Sequence, residues 1–187
     1  MTHLRFSNAT AAWLQALNRA VKALPTESIL YITGAKLQEA HGDAKLVPKI
    51  ISAAITKKLP AAGVIIDRET WLRDAETCEK ASPPMLATCR AIVHAVVDTA
   101  VDERERKDTY HRDAEECARR GSYETARAIL RHARSAFPDS ERTWRALAQL
   151  EKEHGAPAAT SVRCDTIVHS LLRLERPRDA CKRSAML

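Results

Sequence analysis

The sequence contains few of the residues on which β-rich and phosphate-binding folds depend. Glycine occurs five times, and aromatic residues make up 4% of the 187 residues. Because sandwiches and barrels need aromatic and β-branched strands with frequent glycine turns, this composition disfavours both folds. Five scattered glycines also leave no loop that can wrap backbone amides around a phosphate.

Signals for membranes, metals and cofactors are missing as well. No apolar run approaches the ~20 residues of a membrane span, and residues 1–10 lack the apolar centre of a signal peptide. The cysteines form no Cys-x-x-Cys pair, and the seven histidines add no convergent ligand spacing. We predict no metal, cofactor or membrane partner, and reduced, mostly buried thiols at the five cysteines: Cys78, Cys89, Cys117, Cys164 and Cys181.

The sequence also carries no hydrolase, metalloprotease or nucleotide-binding motif, so we predict no catalysis and no small-molecule substrate. Two carboxylate pairs, Asp74 with Glu76 and Asp113 with Glu115, are the nearest approach to an acid–base site. Residues two apart on a helix point to different faces, so we interpret these carboxylates as solvated or as partners of arginines on the same helix. Three histidines are interpreted as helix-surface or interface residues: His94, His132 and His154.

The formal net charge is +6, and seven arginines are concentrated in residues 119–145. Such a stretch can meet RNA or an acidic protein. The arginines are spread along helices, however, and this spacing favours a solvated helix face. If the stretch does bind a partner, the predicted contact residues are Arg119, Arg120, Arg127, Arg131 and Arg134.

Alanine and arginine dominate instead, and an internal repeat organises them. Residues 71–78 align with residues 110–117 at five identities in eight positions, with an aromatic first residue in both. Four aromatic residues, each followed four positions later by alanine, recur at spacings of 40, 39 and 34, which are typical of helix-pair repeats. These repeat anchors are Tyr31 with Ala35, Trp71 with Ala75, Tyr110 with Ala114, and Trp144 with Ala148.

An aromatic residue and an alanine four positions apart share one helix face. The ring fills the space between neighbouring helices, and the alanine lets another helix approach. The repeat therefore predicts an all-α solenoid, a right-handed superhelix of antiparallel pairs in which an A helix carries the anchors and a B helix follows it. The anchors are expected to be structural.

The predicted organisation is a solenoid over residues 1–156 and a basic C-terminal tail or capping helix over 157–187. The solenoid comprises a partial repeat at 12–25, repeats at about 28–60, 68–101 and 103–138, and a further A helix at 140–154. The predicted helices within the repeats span 28–40, 44–59, 68–80, 85–101, 103–119 and 123–137. In the tail, residues 162–174 show the pattern of one amphipathic helix.

These repeats resemble half-a-TPR (HAT) repeats. Trp144, Ala148 and Glu151 match the HAT A helix, and residues 126–129 with Pro138 match its B helix. HAT proteins are scaffolds in RNA-processing complexes, so the resemblance implies a protein-binding role.

A closer resemblance, over roughly residues 12–156, is to the middle of the pre-mRNA-processing factor 6 family. It is carried by residues 35–42, 49–56 and 63–71, and it ends after Gly155. Members of that family are far longer, which makes this chain comparable to a fragment or a shortened homologue. They act in the nucleus, where they bridge the U5 and U4/U6 particles of the spliceosomal tri-snRNP.

The resemblance implies a non-catalytic nuclear scaffold for pre-mRNA splicing, with other snRNP proteins as partners and at most weak or indirect RNA contact. Two alternatives stay open. One is a HAT scaffold of another complex, for 3′-end cleavage or ribosome biogenesis. The other is a weak basic RNA-binding module.

Overall fold

The computed structural model describes residues 2–155, with side chains from residue 12 onward. This part of the chain forms eight helices and no strand, which confirms the predicted all-α fold of antiparallel helix pairs. The helices are α1 (Thr2–Ala23), α2 (Ser28–Ala40), α3 (Val47–Ala53, continued by Ala54–Lys58 and Leu59–Ala61), α4 (Arg68–Glu79), α5 (Leu86–Val96), α6 (Arg106–Arg119), α7 (Tyr123–Ala136) and α8 (Glu141–His154).

The A helices α2, α4 and α6 pack against the B helices α3, α5 and α7 that follow them. Successive B helices also pack side by side, so α5 contacts both α3 and α7. Each B helix after the first touches the A helix of the preceding repeat as well, and α8 packs on α7. Apart from the repeat that follows it, a B helix such as α5 or α7 therefore contacts three helices: its own A helix, the preceding B helix and the preceding A helix.

The core follows the repeat. Tyr31, Trp71 and Tyr110 are 4%, 4% and 0% exposed, and the alanines paired with them are also buried. The B helices add one fully buried isoleucine each, Ile51, Ile92 and Ile129. The fourth anchor pair differs, because Trp144 and Ala148 are only partly buried against this core.

Two glycines are explained by the backbone around them. Gly42 follows α2 with a φ of 89°, the left-handed conformation that its position after the helix predicts. Gly34 lies inside α2 at a close approach of α1, where an added Cβ would be 2.9 Å from a methyl group of Leu17.

The largest differences from the predicted boundaries lie in three helices, α3, α5 and α6. The helix predicted over residues 44–59 runs instead from Val47 to Ala61, and a π-helical turn over Ala54–Lys58 precedes Pro60. Proline has no N–H and collides with the carbonyl four residues earlier in a regular α-helix, so a wider turn accommodates it. Helix α5 ends at Val96, not at residue 101, and α6 begins at Arg106, not at residue 103. Between them, Asp98 accepts a hydrogen bond from the Tyr110 hydroxyl, a tertiary contact that helical periodicity does not reveal.

Within the described range, no helix combines the length and the apolar character needed to cross a lipid bilayer. The predicted helix at 162–174 and the tail at 157–187 lie outside the described residues.

Candidate interaction surface

The N-terminus of α5 is capped by a side chain from the preceding repeat. Its own cap residue is Met85, whose side chain makes no capping hydrogen bond. The carboxylate of Glu39, near the end of α2, instead accepts hydrogen bonds from the amides of Ala87 (2.8 Å) and Thr88 (2.7 Å) and from the Thr88 hydroxyl (2.7 Å). A negative charge at this position also interacts favourably with the helix dipole.

The same arrangement recurs one repeat later. Glu79, near the end of α4, accepts hydrogen bonds from the amides of Glu124 (2.8 Å) and Thr125 (2.9 Å) and from the Thr125 hydroxyl (2.8 Å). The cap residue of α7, Ser122, makes no side-chain capping bond within the structure as described. By contrast, the A helices α4 and α8 are capped locally, through Asp67 and Ser140.

No role is predicted for these two glutamates from the repeat pattern alone, although the sequence contains a signal for the cap. Glu39 lies eight residues after the anchor Tyr31, and Glu79 lies eight residues after Trp71. Their threonine partners also occupy equivalent positions at the start of successive B helices. A recurring acid at the end of one helix, matched to a threonine at the start of a later helix, indicates a cap that crosses the repeat boundary.

One carboxylate of each pair, Glu76 and Asp113, connects repeats, which corrects for these two residues the expectation that they are solvated or paired within one helix. Glu115 is exposed, as expected. Glu76 of α4 is buried and forms hydrogen bonds of 2.6–3.1 Å with the guanidinium of Arg120, at the end of α6. Asp113 of α6 pairs with Arg68 at the start of α4. These four residues join two successive A helices, and their role in the fold is structural.

Burial and charge act in opposite directions on these carboxyl groups. Burial disfavours the charged form of Glu76, but the hydrogen bonds and charge of Arg120 outweigh it, so its pKa lies below the ordinary value. For Asp113, burial outweighs the attraction of Arg68 and raises the pKa. Burial likewise raises the pKa of Asp74, against the weaker pull of Lys36.

Arg127, predicted as a possible partner contact, lies inside the protein. Its side chain is buried, with Nε 2.9 Å from the carboxylate of Glu151 and a second ion pair to Glu124. Arg131 reaches the same Glu151 carboxylate at 3.3 Å. The interpretation of Arg127 as a residue that contacts RNA or an acidic protein is therefore wrong, because its guanidinium neutralises buried acids between α7 and α8.

The other three predicted arginines do not form one patch. Arg120 is occupied by Glu76 and by Glu116. The guanidinium carbon of Arg134 lies 5.1 Å from the ring centre of Trp144, in a cation–π contact. Arg119 is exposed at the end of α6.

The outer surfaces of α3, α5 and α7 form a continuous grooved surface, here called the B-helix face. A groove of about 600 Å³ runs between α3 and α5, and one of about 340 Å³ runs between α5 and α7. Arg90 and His94 of α5 line both grooves. The remaining lining is chiefly small or basic: Pro48, Ser52, Thr56, Ala87, Ala91, Ala95, Val93, Ala128, Arg131, His132 and Ser135.

Basic groups predominate in the centre of the B-helix face. The rings of His94 and His132 meet edge to face at 5.5 Å, and Arg90 is half exposed beside them. Asp98 lies 3.2 Å from His132, and Glu124 lies 3.1 Å from Arg90. The face thus offers apolar grooves with arginine and histidine side chains on their rims.

The described cysteines are inert. Cys78, Cys89 and Cys117 are free thiols inside the core, as predicted, and burial raises the pKa of Cys89 to about 12. Burial also raises the pKa of Cys117. Cys164 and Cys181 lie outside the described residues. In the described range, no group of three or more potential ligands is arranged to hold a metal ion.

Comparison with known proteins agrees with the repeat architecture. A family model described as tetratricopeptide repeat matches residues 114–150, from the middle of α6 into α8. The chain is 43% identical over 106 residues to pre-mRNA-processing factor 6 of Homo sapiens, an alignment that covers 57% of this chain and 11% of the human protein.

Two further proteins are similar to this chain. Pre-mRNA-splicing factor prp1 of Schizosaccharomyces pombe is 31% identical over 117 residues, which cover 63% of this chain and 13% of that protein. Protein STABILIZED1 of Arabidopsis thaliana is 45% identical over 74 residues, which cover 40% of this chain and 7% of that protein. The aligned stretches thus span about a tenth of these relatives' lengths.

Proposed function

We propose that this chain, a homologue of pre-mRNA-processing factor 6 with TPR-type repeats, is a non-catalytic scaffold for protein–protein contacts in pre-mRNA splicing. A further relative supports this reading, since it is named as a pre-mRNA-splicing factor. In its finer form, the proposal is a nuclear protein that takes part in bridging the U5 and U4/U6 particles of the tri-snRNP.

The observation that carries a scaffold role is the B-helix face itself. Three stacked helices present two parallel grooves, and both grooves share Arg90 and His94. Grooves between packed helices suit an extended or helical segment of another protein, which can place apolar side chains between helices and polar ones on the rim. Because the relatives are named as pre-mRNA-processing and splicing factors, we expect the partners to be other splicing proteins.

Charge indicates what kind of segment fits. The rims carry two arginines and two histidines, of which Arg90 and Arg131 also pair with Glu124 and Glu151: Arg90, Arg131, His94 and His132. Arg90 is half exposed and offers the most accessible of these charges. A partner segment with apolar residues on one side and acidic residues on the other complements such a surface, and acidic residues also increase the association rate.

Direct RNA binding has less support. Of the five arginines singled out in the sequence, Arg127 is buried, and Arg120, Arg131 and Arg134 are engaged with acids or with a tryptophan ring. The described aromatic anchors are buried or partly buried in the repeats, whereas single-stranded RNA readers offer exposed rings for base stacking.

The test is affinity purification of the tagged full chain from nuclear extract, with a variant that fills the groove. Ala95, partly buried on α5, lines the larger groove, and Ala95→Glu adds bulk and negative charge with little loss of helix propensity. Thr77→Glu, on the exposed side of α4, is the matched control. Circular dichroism of all three proteins checks that the fold is retained.

We expect U5 and U4/U6 proteins in the wild-type and Thr77→Glu eluates and their loss with Ala95→Glu. Equal recovery with Ala95→Glu would reject the B-helix face as the binding surface. Recovery of 3′-end cleavage or ribosome-assembly factors instead would reject the splicing assignment. RNA that is released by moderate salt, in the absence of proteins, would favour the RNA-binding alternative.

A further inference from the structure

A groove at the C-terminal end of the stack has the composition of a helix-binding site. It has a volume of about 330 Å³ and lies between α6, α7 and α8; we call it the end groove. Its floor consists of four small and two larger apolar residues: Ala114, Ala118, Ala126, Ala146, Leu130 and Leu150. Small residues of this kind let a helix with branched side chains approach closely.

The three helices around the end groove are those that a fourth B helix would contact. Helix α5 packs against its own A helix α4, the preceding B helix α3 and the preceding A helix α2. Helix α7 packs in the same way against α6, α5 and α4. Advancing by one repeat gives α8, α7 and α6, which are the walls of the end groove.

The sequence beyond α8 repeats the pattern of α5. Residues 164–172 read Cys-Asp-Thr-Ile-Val-His-Ser-Leu-Leu, and residues 89–97 read Cys-Arg-Ala-Ile-Val-His-Ala-Val-Val. Four positions are identical, and leucine replaces valine at the last two. In α5, Cys89, Ile92 and Val93 are buried against the neighbouring helices, whereas His94 is exposed.

Both residues of the cap between repeats differ at the equivalent positions one repeat further on. Glu39 caps α5 by accepting from the amide of Thr88, and Glu79 caps α7 by accepting from the amide of Thr125. One repeat further on, the position of the glutamate is Ala118, eight residues after Tyr110, and the position of the threonine is Arg163, immediately before Cys164. The glutamate cap of the earlier repeats is therefore absent here, and the alanine at 118 leaves the end groove open to a long side chain.

We propose that residues 162–174 form a fourth B helix that docks in the end groove and covers its apolar floor. Cys164, Ile167, Val168 and Leu171 face the groove, while Asp165 and His169 face solvent as Arg90 and His94 do. Seven residues, 155–161, join the two helices, at least as many as the six between α4 and α5. Exposed Glu115 and Glu153 on the groove rim complement the arginines at 163 and 173.

Each repeat of such an array presents an apolar face to the element that follows it, and docking of residues 162–174 would cover that face of the α6–α8 unit. Docking of this kind is independent of the proposed function.

Cysteine alkylation of the full-length chain tests the docking directly. N-ethylmaleimide is added to the native protein, and the rate at each cysteine is followed by mass spectrometry of tryptic peptides. Cys164 is expected to react at least about tenfold more slowly than in a synthetic peptide of residues 158–178, because a docked helix exposes it only during local opening. Cys89 and Cys117 report whether the repeats themselves remain folded.

Two matched pairs of variants locate the contact. Ile167→Asp, on the docking side, should make Cys164 react at the peptide rate, and His169→Asp, on the opposite side, should not. Ala118→Arg should likewise deprotect Cys164 by filling the end groove, whereas Ala95→Arg, in the distant groove between α3 and α5, should leave it protected. In every variant Cys89 and Cys117 are expected to stay protected.

Three results would overturn the proposal. The first is alkylation of Cys164 at the peptide rate in the wild-type chain. The second is equal behaviour of Ile167→Asp and His169→Asp with the repeats intact. The third is protection that disappears on dilution together with a dimer in size-exclusion chromatography, which would assign the groove to the tail of a second copy.

Discussion

Glu79 at the end of α4 caps α7 of the next repeat through Thr125, whose amide and hydroxyl both donate to its carboxylate at 2.9 and 2.8 Å. The first-turn amides of a helix have no partner within the helix and must be satisfied from outside. Because the acceptor belongs to another repeat, forming α7 and stacking the two repeats satisfy the same hydrogen bonds. Glu39 and Thr88 form the same connection one repeat earlier.

Removing this cap is expected to weaken the whole stack. Glu79→Ala should lower the free energy of unfolding by about 1–3 kcal/mol, because it leaves partly buried amides without an acceptor and removes a charged partner. Urea denaturation followed by circular dichroism at 222 nm measures the change.

The matched control for this variant is Glu69→Ala. Glu69 is exposed on the same helix and pairs only four residues away with Arg73, so its loss should cost less than about 0.5 kcal/mol. Equal losses for the two variants would mean that the contact between repeats adds nothing to stability.

The buried pair of Glu76 and Arg120 predicts a pH dependence. Although burial disfavours its charged form, Arg120 lowers the pKa of Glu76 below the ordinary 4.5. A carboxyl group with a lowered pKa in the folded state contributes stability that is present above about pH 4.5 and is lost as the pH falls through the folded-state value. The stability difference between wild type and Glu76→Gln should therefore be largest at neutral pH and shrink below about pH 4.5.

Asp74, two residues away, provides a control of opposite sign. Burial raises its pKa despite the opposing charge of Lys36, so its charged form destabilises the fold. Asp74→Asn should be neutral or stabilising at neutral pH, and its advantage should vanish in acid. Urea titrations of both variants across pH measure the effects, and parallel curves for the two would contradict the assignment.

The ion pair of Arg127 with Glu151 predicts a large asymmetry between single and double substitution. Arg127→Ala removes the closer of two arginines from the buried Glu151 carboxylate, leaves Arg131 at 3.3 Å beside it, and should cost about 3 kcal/mol, whereas Arg119→Ala, at an exposed position, should cost little. The apolar double variant Arg127→Met with Glu151→Leu should recover part of the loss. If thermal or urea unfolding shows that Arg127→Ala lowers the free energy of unfolding by less than about 1 kcal/mol, the guanidinium of Arg127 is solvated and not buried.

The anchors predict graded effects along the chain. Trp71 is 4% exposed, and Trp71→Ala should cost about 3–5 kcal/mol through lost burial and a cavity. Trp144 is only partly buried, so Trp144→Ala should cost clearly less. An unchanged urea midpoint for Trp71→Ala would contradict the placement of Trp71 in the core.

Much of the fold could be read from the sequence, because the anchors repeat. Tyr31, Trp71 and Tyr110 with their alanines mark the A helices, and α2 begins and ends where the prediction placed it. Errors arose where a tertiary contact or a backbone irregularity decides a boundary, as at the π turn before Pro60 and at the early end of α5.

The interaction surface was predicted less well. The five predicted arginines lie close together in the sequence, within residues 119–134. In the fold, however, the side chain of Arg127 is buried, and Arg120 pairs with Glu76, which lies 44 residues earlier in the chain. The B-helix face depends on which surfaces of α3, α5 and α7 stay uncovered, and no single helix carries that information.

The sequence by itself determined the class and the repeat of this protein, because helix propensity and the spacing of large and small residues are local properties. Tertiary structure alone decided the partners of its charges. From the sequence alone, Glu39, Glu79 and Glu76 are expected on helix surfaces. Glu39 and Glu79 become caps because the next repeat brings backbone amides within hydrogen-bond distance, and Glu76 becomes a buried partner of Arg120 for the same reason. Whether a charge is solvated depends on what packs over it, and that is settled by residues about 45 positions away.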